Sequence, residues 1–437
     1  DVVCWNALIA GHAQHGHGED ALTCFHQMQC NDIRPNAVTF LSILKACGLI
    51  GAIHIGKRIH HDILRLRLLP KNIEVGNALM DMYAKCGALE KAKDVFFQFS
   101  IRNVVSWNTL ITAYVQYGHG ENALQCFDQM QHEGYSPDVV TFICILKACG
   151  CIGSAEMGEK IHAKIVRKRL LEKDALIGTA LVDMYAKCGA LGKAKEVFDQ
   201  LPSQDLVSWG ALIAGYAEHG HGDDALNCFD HMRQNGFSPD SLIFVCIIKA
   251  CASIRLFRKG KEIHNELITG GFLEKDLLIG TALMDLYTKC GALAEAEWVF
   301  DKIQFRNTVM WNVLITGYLS HGHGNKSEVC FQRMQCEGVC QDEVTFAGIL
   351  KALGSIAQIH KGKRIHAAIV GEVYLPKHNL VGNALMDMYA KCGDLTKVQE
   401  QFEQLQVRNV ESWNVLITGY KQHGYWKEVL KRFQCMQ

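Results

Sequence analysis

Histidine and cysteine supply the side chains in this 437-residue chain that could hold a metal ion. His15 and His17, His219 and His221, and His321 and His323 form His-x-His pairs, and imidazole nitrogens are common zinc ligands. His264-Asn265-Glu266 adds the first half of the zinc-deaminase pattern, in which the histidine binds metal and the glutamate moves protons. The second half, Pro-Cys-x-x-Cys, is missing, because none of the six prolines precedes a cysteine. Each His-x-His pair sits in a glycine-rich turn, and the matching Tyr117-Gly118-His119-Gly120 keeps only its second histidine. A position that exchanges histidine for tyrosine reads as a turn rather than a ligand. No bound zinc, no cofactor and no catalytic residue is therefore expected, and nothing resembling a nucleophile or a carboxylate pair stands outside the repeated pattern.

That pattern is the frame for every polar residue in the chain. Trp5, Trp107, Trp209, Trp311 and Trp413 are each 102 residues apart, and each 102-residue copy divides into pieces of 35, 36 and 31 residues. Length alone would suggest about three domains, but self-similarity at this period predicts one continuous solenoid array over residues 2–437. Its repeats are 2–36, 37–72, 73–103, 104–138, 139–174, 175–205, 206–240, 241–276, 277–307, 308–342, 343–378, 379–409 and an incomplete 410–437. Asp1 holds the place of Asn103, Asp205, Asn307 and Asn409, so the chain starts inside an array and carries no readable targeting segment.

Most of the 19 cysteines follow the same period. Cys47, Cys149 and Cys251 share one site, Cys86, Cys188, Cys290 and Cys392 a second, and Cys24, Cys126, Cys228 and Cys330 a third. Thiols recurring beside apolar neighbours read as small buried hydrophobes and predict a reducing compartment. His60, His162, His264 and His366 likewise recur at one position and read as architectural. Lys plus Arg equals Asp plus Glu at 45 each, so attraction to a polyanion must come from local placement of charge. The apolar runs fall short of the ~18 residues of a spanning helix, and no membrane partner is expected.

Within 104–138, Trp107, Leu110, Ile111 and Tyr114 follow helical spacing, and Tyr117-Gly118-His119-Gly120 breaks the helix. Ala123, Leu124, Phe127 and Met130 mark a second helix that ends at Gly134 and Pro137. Pro35, Pro70, Pro137, Pro202, Pro239 and Pro376 all fall within three residues of a repeat's end, where proline is tolerated. The fold class is thus all-α, with thirteen helical hairpins and about 25 helices.

The segments SWNTLITAY, GHGENALQCFDQM and GYSPD, then TFICILKAC and GEKIHAKI, then GTALVDMYAKCGALGKAKEVFDQL, closely resemble the P, L and S motifs of pentatricopeptide-repeat proteins. The alternating order resembles the plant organellar class associated with C-to-U RNA editing. The tetratricopeptide repeat fits less well, since its strict 34-residue period is absent. The resemblance covers the chain from Val2 onward and implies a right-handed superhelical α-solenoid of helix-turn-helix repeats whose first helices line the inner wall. It implies a single-stranded RNA partner, no DNA, and a mitochondrial or chloroplast location. An RNA-editing deaminase or other editing factors would be further partners, and the deaminase domain of some relatives is not in this chain.

In that family the fifth and last residues of each repeat face one base. The pairs here are Asn6 with Asn36, Asn77 with Asn103, Asn108 with Asp138, Thr179 with Asp205, Gly210 with Asp240, Thr281 with Asn307, Asn312 with Asp342, and Asn383 with Asn409. Asn414 opens a pair whose last residue lies beyond the chain. The 36-residue repeats carry Leu41, Ile143, Val245 and Ala347 at the fifth position and are read as spacers. The family rules make Asn-Asp a uracil reader, Asn-Asn cytosine, Thr-Asp guanine and Thr-Asn adenine. The competing explanation is that Asn and Asp merely cap the next helix. The resemblance also implies apolar wedges between bases at second positions: Val3, Val38, Val105, Val140, Leu176, Val207, Leu242, Leu278, Val309, Val344 and Leu380, with Glu74 and Glu411 as exceptions. Ordinary packing of a first helical turn is the alternative for these eleven. A helical solenoid that binds protein is the alternative for the whole.

Overall fold

The computed structural model describes residues 1–69, 72–99, 102–171, 174–273, 276–371 and 379–436. Among these residues it contains 26 α-helices and no strand. They fall into two compact units, Asp1–Gly215 and Tyr216–Gln437.

The first unit holds α1 (Val2–Gln14), α2 (Gly18–Cys30), α3 (Ala37–Ile50), α4 (Ile53–Arg65), α5 (Ile73–Lys85) and α6 (Leu89–Gln98). It continues through α7 (Val104–Gln116), α8 (Gly120–His132), α9 (Val139–Ile152), α10 (Ala155–Arg167), α11 (Ala175–Lys187) and α12 (Leu191–Asp199). The boundary falls inside α13 (Leu206–Glu218). The second unit holds α14 (Gly222–Gln234), α15 (Ser241–Ser253), α16 (Phe257–Thr269), α17 (Leu277–Lys289), α18 (Leu293–Lys302) and α19 (Thr308–Ser320). It closes with α20 (Gly324–Cys336), α21 (Glu343–Ser355), α22 (Ile359–Gly371), α23 (Asn379–Lys391), α24 (Leu395–Gln404), α25 (Val410–Gln422) and α26 (Trp426–Met436).

Every odd-numbered helix begins on the first residue of a sequence repeat, and each repeat is a helical hairpin. Pro35, Pro137, Pro202 and Pro239 lie outside helices, while Pro70, Pro376 and the repeat end at His378 lie outside the described residues. In both units the first helix of a repeat packs on the first helix of the next, as α7 does on α5 and α9. The second helices rest on their own first helix and on that of the following repeat, as α8 does on α7 and α9. Within each unit one layer is therefore made of first helices, and its neighbour is built of second helices.

The core repeats with the sequence. Trp107 meets Phe96 edge-on at 4.6 Å, Trp209 meets Phe198 at 4.6 Å, Trp311 meets Phe300 at 4.5 Å and Trp413 meets Phe402 at 4.6 Å. Such T-shaped pairs add directional preference to area burial. Trp107, Leu110, Ile111, Tyr114, Ala123, Phe127 and Met130 are buried as expected, whereas Leu124 is only half-buried. Gly134 takes φ +86°, the left-handed conformation that ends α8. Gly120 matters for space rather than for conformation, because a Cβ there would stand 2.5 Å from Ile152 Cγ2. Glycine lets α8 start against the end of α9.

Polar staples tie successive repeats. The buried or half-buried histidines bond tyrosines on the next first helix, with His60 Nδ1 2.9 Å from Tyr83 Oη, His162 3.0 Å from Tyr185, His264 2.6 Å from Tyr287 and His366 2.8 Å from Tyr389. Histidine and tyrosine exchange in the glycine-rich turn for a visible reason. Tyr117 Oη donates to the Lys85 carbonyl at 3.3 Å, and His321 Nε2 lies 2.7 Å from the Thr288 carbonyl near the corresponding helix end. Cys47, Cys149 and Cys251 are fully buried, and burial pushes each thiol up to about 12.

Candidate nucleic-acid interface

The last residue of each paired repeat stands one position before a first helix and caps it. Asn36 Oδ1 accepts the Thr39 N–H at 3.1 Å, Asn103 the Ser106 N–H at 2.9 Å, Asp138 the Thr141 N–H at 2.9 Å and Asp205 the Ser208 N–H at 2.8 Å. Asp240, Asn307, Asp342 and Asn409 do the same for Ile243, Met310, Thr345 and Ser412. In the 36-residue repeats Asn72, Asp174 and Asp276 also cap, although the fifth residues Leu41, Ile143 and Val245 carry no polar atom to pair with them. Capping alone therefore accounts for Asn or Asp at a repeat's end.

Capping uses one side-chain atom and dictates which one remains. A backbone N–H can be accepted only by oxygen, so Asn36, Asn103, Asn307 and Asn409 must turn Oδ1 to the helix and present Nδ2, a donor. Asp205, Asp240 and Asp342 leave Oδ2, an acceptor, outside the cap, and at Asp138 Oδ2 also accepts from Asn108 Nδ2 at 3.2 Å. Asn36, Asp138, Asp205, Asp240, Asn307 and Asn409 are exposed, and Asn103 and Asp342 half-buried.

The fifth residues divide by repeat length. In the 35-residue repeats Asn6, Asn108 and Asn312 are buried, with Asn108 only 7% exposed. Asn6 Nδ2 donates to Asn36 Oδ1 at 3.1 Å, Asn108 Nδ2 to Asp138 Oδ1 at 3.0 Å and Asn312 Nδ2 to Asp342 Oδ1 at 2.9 Å. Their Oδ1 atoms accept from the Thr39, Thr141 and Thr345 hydroxyls at 2.6, 2.6 and 2.7 Å. Sequence reasoning missed these threonines, yet a signal exists: third positions read Thr39, Thr141, Ile243 and Thr345 where the preceding fifth residues read Asn6, Asn108, Gly210 and Asn312. The apolar member coincides with the glycine.

In the 31-residue repeats no hydrogen bond joins fifth to last among the described residues. Thr179 and Thr281 return their hydroxyls to the Ala175 and Leu277 carbonyls at 3.3 and 2.8 Å. Asn77 Oδ1 and both amide atoms of Asn383 are enclosed without a partner. Gly210 and Asp240 fall in different units, and Asn414 is exposed on α25.

All eleven second-position residues, from Val3 to Leu380, are exposed, between 39% at Leu380 and 67% at Val3 and Val207. Packing of the first helical turn does not explain them. Across repeats 73–103, 104–138 and 139–174, a surface depression is lined by Val105, Asn108, Thr112, Asp138 and Val140, with Asp81 and Ala84 of the preceding first helix at its side. Two exposed valines thus flank one fifth-and-last pair. Burial raises the Asp138 carboxyl, but hydrogen bonds from the Thr141 N–H, the Asn108 amide and the Thr141 hydroxyl outweigh it and hold the group below the usual carboxylate range. Asp342 is depressed in the same way by Thr345 and Asn312. Among the described residues no three His, Cys, Asp or Glu side chains gather where a metal could bind, and no helix is long and apolar enough to cross a membrane.

Helical hairpins that recur with a 35-36-31 residue period, their first helices capped by a preceding Asn or Asp, define a helical-repeat protein. The chain belongs to the PPR repeat family: the "PPR repeat family" model matches residues 1–48, 102–151, 204–253 and 306–355, and the "PPR repeat" model matches 77–104, 179–206, 281–307, 383–410 and 411–437. Pentatricopeptide repeat-containing protein At5g27110 of Arabidopsis thaliana is 35% identical over the whole chain, which spans 63% of that relative. The chloroplastic At4g18520 of the same organism is 32% identical, and the chain spans 70% of it. Among solved structures, the pentatricopeptide repeat protein PPR10 from maize shares the fold at a TM-score of 0.62 and 19% identity, covering 100% of this chain and 68% of its own. PPR10 in complex with an 18-nt psaJ RNA element matches at a TM-score of 0.57 and 16% identity, over 100% of this chain and 79% of its own.

Proposed function

We propose that this chain is a sequence-selective binder of single-stranded RNA, in the class with alternating P, L and S motifs, and has no catalysis of its own. Its thirteen repeats, residues 2–437, act as one array that brings a processing activity, C-to-U editing first among them, to an organellar transcript. A separate deaminase would supply the chemistry. The relatives include proteins named chloroplastic and mitochondrial, which supports an organellar site of action. PPR10, a structural relative, has been solved with RNA.

The observation that carries this reading is the depression at Asn108 and Asp138, where exposed Val105 and Val140 leave a gap with hydrogen-bonding groups at its floor. A base inserted there would have an apolar contact on each face and its ring edge toward Asp138. Carboxylate Oδ2 accepts the N–H of uracil or guanine, while an Asn Nδ2 donates to the bare ring nitrogen of cytosine or adenine. In repeat order the pairs spell C-n-C-U-n-G-n-n-A-U-n-C, followed by a pyrimidine. The test is binding of this RNA, its scrambled version and its duplex at ~150 mM salt. Preference for the ordered single strand is expected. Equal affinity for ordered and scrambled RNA refutes the reading and favours a protein-binding solenoid.

A further inference from the structure

The 36-residue repeats pose a question that base reading does not answer. Their fifth residues are apolar, and Asn72, Asp174 and Asp276 are occupied as caps, yet their second residues Val38, Val140, Leu242 and Val344 are exposed like the others. Each also carries a lysine at the ninth position: Lys45, Lys147, Lys249 and Lys351. Positions two, five and nine are separated by three and four residues and share one helix face.

The charge pattern on that face differs by repeat length. In the 31-residue repeats the ninth residue is Asp81, Asp183, Asp285 or Asp387, and Lys85, Lys187, Lys289 and Lys391 neutralise them at 2.7, 2.8, 2.7 and 2.7 Å. In the 35-residue repeats it is uncharged Ala10, Thr112, Ala214, Thr316 or Thr418. Lys45, Lys147 and Lys249 are exposed and Lys351 half-buried, and none makes an ion pair or side-chain hydrogen bond among the described residues. Lys147 stands beside Cys144, whose Sγ lies 3.2 Å from Thr112 Oγ1 on the rim of the Asn108 and Asp138 depression. Lys249 stands in the same relation to Cys246, where Glu218 also approaches without pairing to the lysine. An unpaired, exposed ammonium is free to attract the phosphates of a bound strand.

We propose that Lys45, Lys147, Lys249 and Lys351 hold the phosphodiester backbone of the bound RNA, so that the 36-residue repeats grip the strand at the nucleotides they do not read. The assignment rests on the RNA-binding function proposed above. It separates two roles along the chain: base selection in the 35- and 31-residue repeats, and electrostatic attachment in the 36-residue ones. In a chain whose charges balance, these four cations are placed where they act.

The test is a salt titration with the ordered RNA on the full chain and on a quadruple Lys→Gln variant at positions 45, 147, 249 and 351. Each phosphate contact on a single strand contributes about −0.7 to the slope of log K against log salt, so the variant's slope should be shallower by about 2.8, with roughly hundredfold weaker binding at ~150 mM salt. The ratio of ordered to scrambled RNA should stay as in the parent. The quadruple Lys→Arg variant should keep the parent slope. A control with Lys57, Lys160, Lys261 and Lys363 changed to Gln, on the second helices of the same repeats, should also keep it. An unchanged slope in the first variant, or an equal loss in the control, overturns the assignment. A parent that binds the ordered and scrambled RNAs equally but still loses slope with the lysines overturns base selection and leaves the phosphate grip standing. A parent that binds no RNA overturns both.

Discussion

Asn108 Nδ2 lies 3.0 Å from Asp138 Oδ1 and 3.2 Å from its Oδ2, while the same carboxylate caps α9 through the Thr141 N–H. Helix capping at Asp138 is thus compatible with the base selection proposed for it. The cap orients the side chain, and the orientation decides which atom faces outward.

Thr141 completes that arrangement, and its loss should be measurable as stability. Thr141→Val leaves Asn108 Oδ1 buried without its 2.6 Å partner, and an unsatisfied buried acceptor costs about 1–3 kcal/mol. Urea unfolding should report it. In an Asn108→Ala background the same substitution should cost less, because only the bonds of the Thr141 hydroxyl with the Asp138 carboxylate at 2.8 Å and the Asp138 N–H at 3.2 Å remain to be lost; fully additive losses would show that the threonine acts independently of Asn108.

Asn307→Asp separates capping from reading at the repeat 277–307. Asp caps as well as Asn, so the Met310 N–H keeps its 3.0 Å bond and the melting temperature should not move. The outward atom changes from donor to acceptor while Thr281 is untouched. One mismatched position costs ~1–3 kcal/mol in DNA recognition, borrowed here as a scale, so the variant should lose roughly tenfold on RNA with A at the ninth nucleotide and recover with G. Identical binding of both RNAs by both proteins would reduce Asn307 to a cap.

The exposed second residues should behave oppositely to core valines. Val140→Ala removes two carbons from a side chain half in solvent, so folding stability should hold within about 0.5 kcal/mol. RNA affinity should fall by roughly fivefold, the equivalent of about 1 kcal/mol of lost apolar contact. A matched loss of stability with no change in binding would return these residues to packing.

The histidine-tyrosine staples make the fold acid-sensitive. Burial, first of all, lowers the pKa of His60, His162, His264 and His366 below 6.5, so the unfolded chain takes up protons more readily than the folded one. Their contribution is complete above about pH 6.5 and is lost as pH falls below it. The urea midpoint should therefore drop between pH 7 and pH 5. With all four histidines replaced by Gln, the curve over that range should flatten; an equally steep fall would place the acid sensitivity elsewhere.

The starts of the first helices were legible in the residues themselves. A period of 102 with inner pieces of 35, 36 and 31 placed every first helix at its start, because apolar spacing, glycine stops and proline junctions are local properties of a chain. The buried cysteines at the Cys47, Cys149 and Cys251 site and the recurring histidines were legible for the same reason, whereas Cys86, Cys188, Cys290 and Cys392, read as buried, are only half-buried. Recurrence at one site implies a shared environment. Which atom of Asn36 or Asp138 remains after capping was not legible, since it depends on a backbone N–H three residues on and on a side chain 30 residues away meeting at one point. The lysines divide along the same line. Lys85 has Asp81 one helical turn back, a pairing at 2.7 Å that spacing alone already offers. Whether a carboxylate from another repeat reaches Lys45 is decided by packing, and among the described residues none pairs with it. Helix periodicity sets which way a residue points, and tertiary packing alone sets what it meets from the rest of the chain.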